Sequence, residues 1–453
     1  MISLVGGPIT PEELRKSKEL FYMLRDQRTA EGNPYIQQVG SADLAVIVSR
    51  RSAQNLNCQV LLLTFFNTLL RMGRFFAAPK IEVPNAELLV RTATLKSTDL
   101  PSAVRELSNN VDPHCAILPY SPGAHTIISI GNNEISGNNV IAGGVLNHRA
   151  VVSSDSFESD QDFNPYASVA GAYAVLAEVY KDFFGVQLLR PRLDNLSLAY
   201  PVPHKSDIGR TLLVGAGGIG HTFSWALQFC SLTGVIDICD FENIEPSNLN
   251  RYLCAFVDDV NIRKDQHLAR YIRSNSQVEA NALGGKYEDL VGRNSIRIRQ
   301  YDRVVTCLDN VVSRYAVQSD FPRLLLNAGT NAYSFQASRH DFLNGACLAC
   351  LFPPRKDTSH EQRVACDQLA QGQTLRPTES YSMVTGLAGL YLLLQLFADR
   401  NCNWSPHHQG NALRLDSIID DRRTKDPDCV LFCGEPQVQA RFREKYSPEY
   451  LVQ

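Results

Sequence analysis

Residues 211–214, Thr-Leu-Leu-Val, form a short apolar run of the kind that lies in a sheet buried on both faces. Directly after it come Gly215-Ala216-Gly217-Gly218-Ile219-Gly220. Residues 221–232 then predict a helix, and residues 235–240 predict a second apolar strand ending in Asp240. Strand, glycine turn, helix and strand make a βαβ unit. Further apolar strands are expected over 303–308 and 324–327. Strands alternating with helical segments predict an α/β fold with a mostly parallel sheet covered by helices.

The N-terminal part repeats this alternation without the turn. A strand is expected over 43–49 and a helix over 53–72, joined by Ser49-Arg50-Arg51-Ser52. With no glycine there, the backbone cannot approach a phosphate closely. Tyr166-Ala167-Ser168-Val169-Ala170-Gly171 opens a helix ending near Phe184, and Tyr381-Ser382-Met383-Val384-Thr385-Gly386 opens a similar one ending near Ala398. Residues 1–190 read as a degenerate copy of the fold in 208–453; the alternative is two unrelated α/β domains whose helices begin alike by chance. A linker is expected over 189–207, with Pro191, Pro201 and Pro203. Residues 351–380 lack periodicity and hold Pro353, Pro354 and Pro377, which predicts a long functional loop.

Composition narrows the classes. Apolar residues make up 44% and charged residues 20%, as in globular chains, and the net charge of −3 gives no overall case for gripping nucleic acid. The apolar runs at 58–70 and 387–398 are shorter than the ~20 residues needed to span a bilayer. No basic segment followed by an apolar stretch opens the chain, so no secretory signal is expected, and the location expected is cytoplasmic. Twelve cysteines in such a setting point to metal binding or a reactive thiol rather than to disulfides.

A glycine turn followed by an acid also fits dinucleotide binding, with Asp240 on a ribose hydroxyl. The residues downstream of Asp240 separate the two possibilities. Ser247-Asn248-Leu249-Asn250-Arg251 leads on to Lys264 and later to Cys307-Leu308-Asp309-Asn310. Hydride transfer has little use for these charges, whereas a triphosphate needs cations such as Arg251 and Lys264 and an acid such as Asp309 for Mg²⁺. Taken singly, the two cations could be solvated and Asp309 could cap a helix.

The ordered set resembles the ubiquitin-activating-enzyme superfamily of adenylating enzymes, which includes the ThiF/MoeB sulfur-carrier activators. The resemblance rests on residues 215–220, Asp240-Phe241-Glu242, 247–251, Lys264 and 307–310, and continues through Cys347-Leu348-Ala349-Cys350-Leu351-Phe352-Pro353 and 428–434. It implies a Rossmann-like adenylation domain in which Gly215, Gly217, Gly218 and Gly220 cradle ATP and Asp240 binds the ribose. Asn248, Arg251 and Lys264 bind phosphates, and Asp309 serves Mg²⁺ and the adenylate. Two features depart from the family. Tyr252 stands where a glutamine usually follows the motif arginine, and no Arg-Tyr-x-Arg-Gln segment precedes the glycine turn. The arginine that such a segment sends to a partner's ATP would be replaced by Arg25, Arg28, Arg50 or Arg51, or be absent. The degenerate first half suggests an inactive and an active adenylation domain fused in one chain. With no large insertion between Lys264 and Asp309, the chain resembles compact bacterial activators of ubiquitin-like proteins.

Cys347-x-x-Cys350 and Cys429-x-x-x-Cys433 predict a structural Cys₄ zinc site, although the second pair is one residue wider than the usual knuckle. His407-His408 could replace a ligand but is placed on a surface loop. By its position in the 351–380 loop, Cys366 resembles the crossover-loop cysteine that carries a thioester, with Cys402 as the alternative. The leading expectation is ATP-dependent adenylation of a ubiquitin-like protein with a C-terminal glycine, thioester formation, and transfer to a conjugating enzyme. Activation of a sulfur carrier is the second reading, an NAD-dependent oxidoreductase the third, and a scaffold on a dead adenylation fold the fourth. No nucleic-acid or membrane partner is expected, and pairing of whole chains into a homodimer stays open.

Overall fold

A computed structural model of the chain describes residues 8–27, 40–131, 135, 139–155, 157–184, 195–200, 205–343, 345–353, 381–397, 406–421 and 424–446. Among them, the first sheet consists of β1 (Leu44–Val48), β2 (Lys80–Glu82), β3 (Leu118–Pro119), β4 (Thr126–Ile130), β5 (Val140–Leu146), β6 (Arg149–Ser153) and β7 (Asn195–Ala199). Its spatial order is β3-β2-β1-β4-β5-β6-β7. The strands up to β5 pair in parallel, and β6 and β7 run antiparallel to their neighbours.

The second sheet consists of β8 (Ser206–Val214), β9 (Leu232–Cys239), β10 (Glu279–Ala282), β11 (Arg303–Thr306), β12 (Leu325–Asn331), β13 (Ser334–His340), β14 (His407–Asn411) and β15 (Arg414–Asp421). Its order is β10-β9-β8-β11-β12-β13-β14-β15. Its first five strands in sequence are again parallel and the rest antiparallel. Counted from its own first strand, each sheet reads 3-2-1-4-5-6-7, and the second adds one strand. The helices Pro165–Phe184 and Ser382–Phe397, paired by their sequences, occupy the same place in each, between the sixth and seventh strands.

Burial explains the sequence patterns. All five residues of β1 are buried, as expected for a parallel strand covered on both faces. The Leu56–Leu69 helix is apolar around most of its circumference because nearly every residue is buried. One apolar core joins residues from both sheets. Helices meet at its centre with little room. A Cβ on Gly386 would lie 2.4 Å from the Tyr173 ring, and one on Gly389 would lie 2.2 Å from Thr222 Oγ1 and 2.6 Å from the Phe223 backbone nitrogen. The Trp225 indole N–H donates to Thr64 Oγ1 at 3.0 Å, tying the two halves together.

Several expected boundaries move. The helix after the glycine turn spans Gly218–Leu227, because the glycines themselves form its first turn. Residues 195–199, inside the expected linker, form β7 on the edge of the first sheet. Where the second half has glycines, the first half has the short helix Arg50–Ala53, capped by the Ser49 side chain. His407 and His408 are not on a surface loop. Both are buried in β14, where the Gln395 amide donates to His408 Nδ1 at 2.9 Å.

Candidate functional site

The glycine turn sits at the carboxyl end of β8, where the strand order reverses between β8 and β11; ligands bind in such crevices in open α/β sheets. Gly215 has φ +94°, and a Cβ on it would lie 3.1 Å from the Cys307 carbonyl oxygen. A Cβ on Gly218 would lie 3.2 Å from Arg251 Cγ, and one on Gly220 3.0 Å from the Gly215 carbonyl oxygen. Only glycine fits these contacts without displacement. Gly217 is the N-cap of the helix and offers no side-chain hydrogen bond, so the first N–H groups are left for an anion.

Asp240 follows β9 and faces the turn. Its carboxylate accepts from Ala216 N at 2.7 Å and Glu242 N at 2.9 Å. Burial pushes this carboxyl above its ordinary value, opposed by Lys264 and the two N–H groups. Lys264 starts the Lys264–Asn275 helix, is buried, and binds the Glu242 carboxylate. Although burial alone would lower the Lys264 ammonium, Tyr252, Glu242 and Asp240 together raise it. Arg251 donates to Ser247 O at 3.0 Å and to Asn250 Oδ1 at 2.7 Å. Asn248 is buried, and its Oδ1 accepts from Glu245 N at 3.0 Å, closing the turn that precedes Arg251.

Tyr252 occupies the middle of this arrangement. It is buried; Arg251 Cζ lies 5.4 Å and Lys264 Nζ 5.6 Å from its ring centre, and its hydroxyl is 3.9 Å from where a Gly217 Cβ would be. Its ring also stacks on His221 with ring centres 4.3 Å apart. His221 is fully buried and, among the described residues, finds no hydrogen-bond partner for either ring nitrogen. Burial, with His267, Arg71, Lys264 and Arg251 around it, lowers its pKa well below the ordinary value, so the ring is neutral.

Asp309 lies on the loop between β11 and the Val311–Ser319 helix. It does not cap that helix; Asn310 does, accepting from Ser313 N at 2.7 Å. Nearby, buried Arg314 donates through Nε and Nη2 to the Leu308 carbonyl at 2.8 and 2.5 Å. Sequence reasoning passed over Arg314, His221 and Arg71.

The arginines expected from the first half are otherwise engaged or exposed. Arg25 is fully buried between Asp26 at 2.7 Å and Asp112 at 2.9 Å. Arg51 pairs with Glu158, Arg50 is exposed, and Arg28 lies outside the described residues. The first half does meet the site loop in another way. Leu14, Phe21 and Tyr22 of the helices Pro11–Lys16 and Lys18–Arg25 pack on Ile244, Leu249, Tyr252 and Val257, and Arg15 pairs with Asp258 at 2.7 Å.

The four cysteines come together. Sγ atoms of Cys347 and Cys350 are 3.6 Å apart, those of Cys347 and Cys429 3.4 Å, and those of Cys350 and Cys433 3.5 Å. All four lie within 4.8 Å of one another and could hold a metal ion. Four thiolates at ~2.3 Å from a tetrahedral zinc would stand about 3.8 Å apart, close to these separations. The extra residue between Cys429 and Cys433 is absorbed by Phe432, which turns into the left-handed region at φ 52°. Cys366 and Cys402 lie outside the described residues.

A Rossmann-like α/β fold with charged groups gathered around a glycine turn defines the class, a nucleotide-binding adenylation fold. Residues 205–428, just under half of the chain, match the ThiF family. The uncharacterized protein y4jF of Sinorhizobium fredii is 34% identical over 236 residues, covering 49% of this chain and 45% of that protein. The adenylyltransferase and sulfurtransferase MOCS3 of Culex quinquefasciatus is 32% identical over 147 residues, covering 31% of this chain and 33% of that protein. The chain thus spans less than half the length of either relative. Among solved structures, E. coli MccB aligns with a TM-score of 0.40 and 17% identity, covering 50% of this chain and 65% of that one. No described helix is long and apolar enough to cross a membrane.

Proposed function

We propose that the chain activates the C-terminal carboxylate of a small carrier protein by adenylation, using ATP and Mg²⁺. The observation that carries this reading is the gathering of the glycine turn, Asp240, Arg251 and Lys264 at the carboxyl ends of β8 and β9. A carboxylate oxygen attacks the α-phosphorus of ATP, the bond to the leaving pyrophosphate breaks, and an acyl-adenylate forms. Both reactants are anions, so the helix N–H groups, Arg251 and Lys264 supply the field that lets them approach. Lys264 exchanges Glu242 for phosphate when ATP enters. Asp309 would hold Mg²⁺, which would supply neutralisation of the triphosphate charge. Asp240 holds the ribose hydroxyls, and Asn248 shapes the loop that presents Arg251.

The carrier proposed is a ubiquitin-like protein ending in glycine, whose acyl group passes to Cys366 as a thioester and then to a conjugating enzyme. The first half acts as the inactive adenylation partner, which the shared strand order supports. The relatives named adenylyltransferase and sulfurtransferase favour a second reading, activation of a sulfur carrier. Zinc is the ion proposed for Cys347, Cys350, Cys429 and Cys433. Four thiolates leave no open position for chemistry, so its role is structural.

Calorimetry with ATP and Mg²⁺ tests the nucleotide reading. The full chain is expected to bind ATP, with Lys264→Ala weakening binding at least about tenfold, as loss of a phosphate cation does. Binding of NAD without ATP would overturn the assignment. With a candidate carrier added, Asp309→Ala is expected to lose pyrophosphate exchange. Cys366→Ala is expected to keep that exchange while losing the thiol-sensitive adduct on a non-reducing gel. An adduct that persists in this variant would remove Cys366 from the reaction.

A further inference from the structure

The loop from Asn248 to Ala255 carries Arg251 and Tyr252 but is neither helix nor strand beyond its first turn. It is closed by a few turn bonds, such as Arg251 N to Asn248 O at 3.0 Å and Ala255 N to Tyr252 O at 3.0 Å. Regular secondary structure therefore does not fix the direction of its carbonyls. Buried side chains do: His267 bonds the Cys254 carbonyl at 3.0 Å from within the same half, and Arg71 and Asn67 reach the rest from the other half. Arg71 stands just past the Leu56–Leu69 helix of the first half and is fully buried. Its Nη1 donates to Leu249 O at 2.7 Å and its Nη2 to Ala255 O at 2.8 Å. Its Nε donates to Asn67 Oδ1 at 3.0 Å, and the Asn67 amide in turn donates to Leu253 O at 2.9 Å. The pinned carbonyls lie on both sides of Arg251 and Tyr252.

A buried guanidinium is costly unless its donors are satisfied, and here they end on carbonyl and amide oxygens rather than on a carboxylate. Burial lowers the Arg71 pKa to about 9, so the site tolerates a strained charge in return for the fork's reach. The planar, multi-donor geometry is what two separate carbonyls require, and an ammonium cannot reproduce it.

We propose that Arg71 is a positioning residue: by gripping the carbonyls of Leu249 and Ala255, the first half holds the second half's phosphate loop in the shape that presents Arg251 and Tyr252 to the triphosphate. This rests on the ATP-site reading above. It gives the first half a defined part in the site, although none of its described arginines pointed out by sequence reaches the glycine turn. Arg71 acts through the loop and does not itself touch substrate.

The test uses the full chain, with Arg71→Lys and Asn67→Ala, and three readouts: calorimetric affinity for ATP with Mg²⁺, affinity for adenosine, and amide hydrogen exchange. Arg71→Lys is expected to weaken ATP at least about tenfold while adenosine, held through Asp240, changes less than about twofold. Asn67→Ala, which keeps the guanidinium but loses its brace, is expected to weaken ATP less. In both variants amides of residues 249–256 lose protection while those of β8 keep theirs. A purely structural defect would instead lower protection in both sheets and affect both ligands alike. Wild-type ATP affinity in Arg71→Lys, or weakened affinity with unchanged loop exchange, overturns the proposal. If Arg71→Lys does not fold, Asn67→Ala decides, and wild-type ATP affinity and loop exchange in it overturn the proposal. Failure of the wild-type chain to bind ATP is distinguishable from these results and would remove the ATP-site reading, and this inference with it.

Discussion

Gly389→Ala puts one methyl group where the Ser382–Phe397 helix crosses the helix opened by the glycine turn. That methyl carbon would lie 2.2 Å from Thr222 Oγ1, 2.6 Å from Phe223 N and 2.9 Å from the Thr222 carbonyl carbon. The hydroxyl could rotate away, but it would leave its 2.7 Å bond to Thr385 O, and the backbone atoms cannot rotate. Restoring ordinary contact distances requires the helices to part by about 1 Å. Overpacking of this kind costs ~1–3 kcal/mol, and the lost hydrogen bond adds ~1 kcal/mol. Alanine returns ~1 kcal/mol through helix propensity. The net expectation is a destabilisation of about 1–3 kcal/mol, read as a lower urea midpoint at unchanged slope. Because Thr222 and Phe223 follow directly on the first turn of the glycine-turn helix, ATP affinity is expected to fall as well. A variant as stable as the parent, or more stable, would refute the close-approach argument, since that is how a helix glycine with open space behaves.

Elemental analysis of the purified chain is expected to find one zinc. A chelator should then expose amides over 345–352 and 424–446 well before those of β8, because the thiolates lose the bonds that gather them; protection unchanged by chelation would count against the site. Acid stability is expected to report on His408. Burial, then His407, lowers its pKa from 6.5 to about 4. The unfolded chain therefore takes up a proton between those values and the folded one does not, so stability is present above pH ~6.5 and is lost progressively as pH falls toward ~4. The span is worth about 3 kcal/mol, and His408→Gln is expected to shrink the fall in urea midpoints across it, with buried His221 and His340 keeping their own share.

The parts of the molecule legible in sequence are those that local chemistry dictates. Gly215, Gly218 and Gly220 are glycines because a Cβ would meet Cys307, Arg251 or Gly215 itself, and that demand writes itself into the chain as a motif. The paired cysteines are readable because a tetrahedral site needs close spacing. The antiparallel ends of the sheets are harder to see. β14 begins His407-His408-Gln409, which reads as polar surface until Gln395 is known to lie against it. β7 lies among prolines and pairs with a strand about fifty residues earlier, a contact no local pattern encodes. His221 and Arg71 take their roles from tertiary neighbours alone. The one local trace is a pair of polar residues four apart, Asn67 in the last turn of the Leu56–Leu69 helix and Arg71 just past its end.

Having the same strand order twice in one polypeptide changes what dilution and mutation can do. Two separate subunits that complete one another's sites fall apart as their concentration drops, whereas here the two sheets share one core and keep a fixed local concentration of each other. A symmetric pair also suffers every substitution twice. In this chain, Ser49-Arg50-Arg51-Ser52 replaces the glycine turn in one copy only, leaving Gly215–Gly220 untouched. On the proposed reading of the first half as the inactive partner, joined copies can drift apart in sequence, one relinquishing its turn while its helix layer is kept for the support it gives the other.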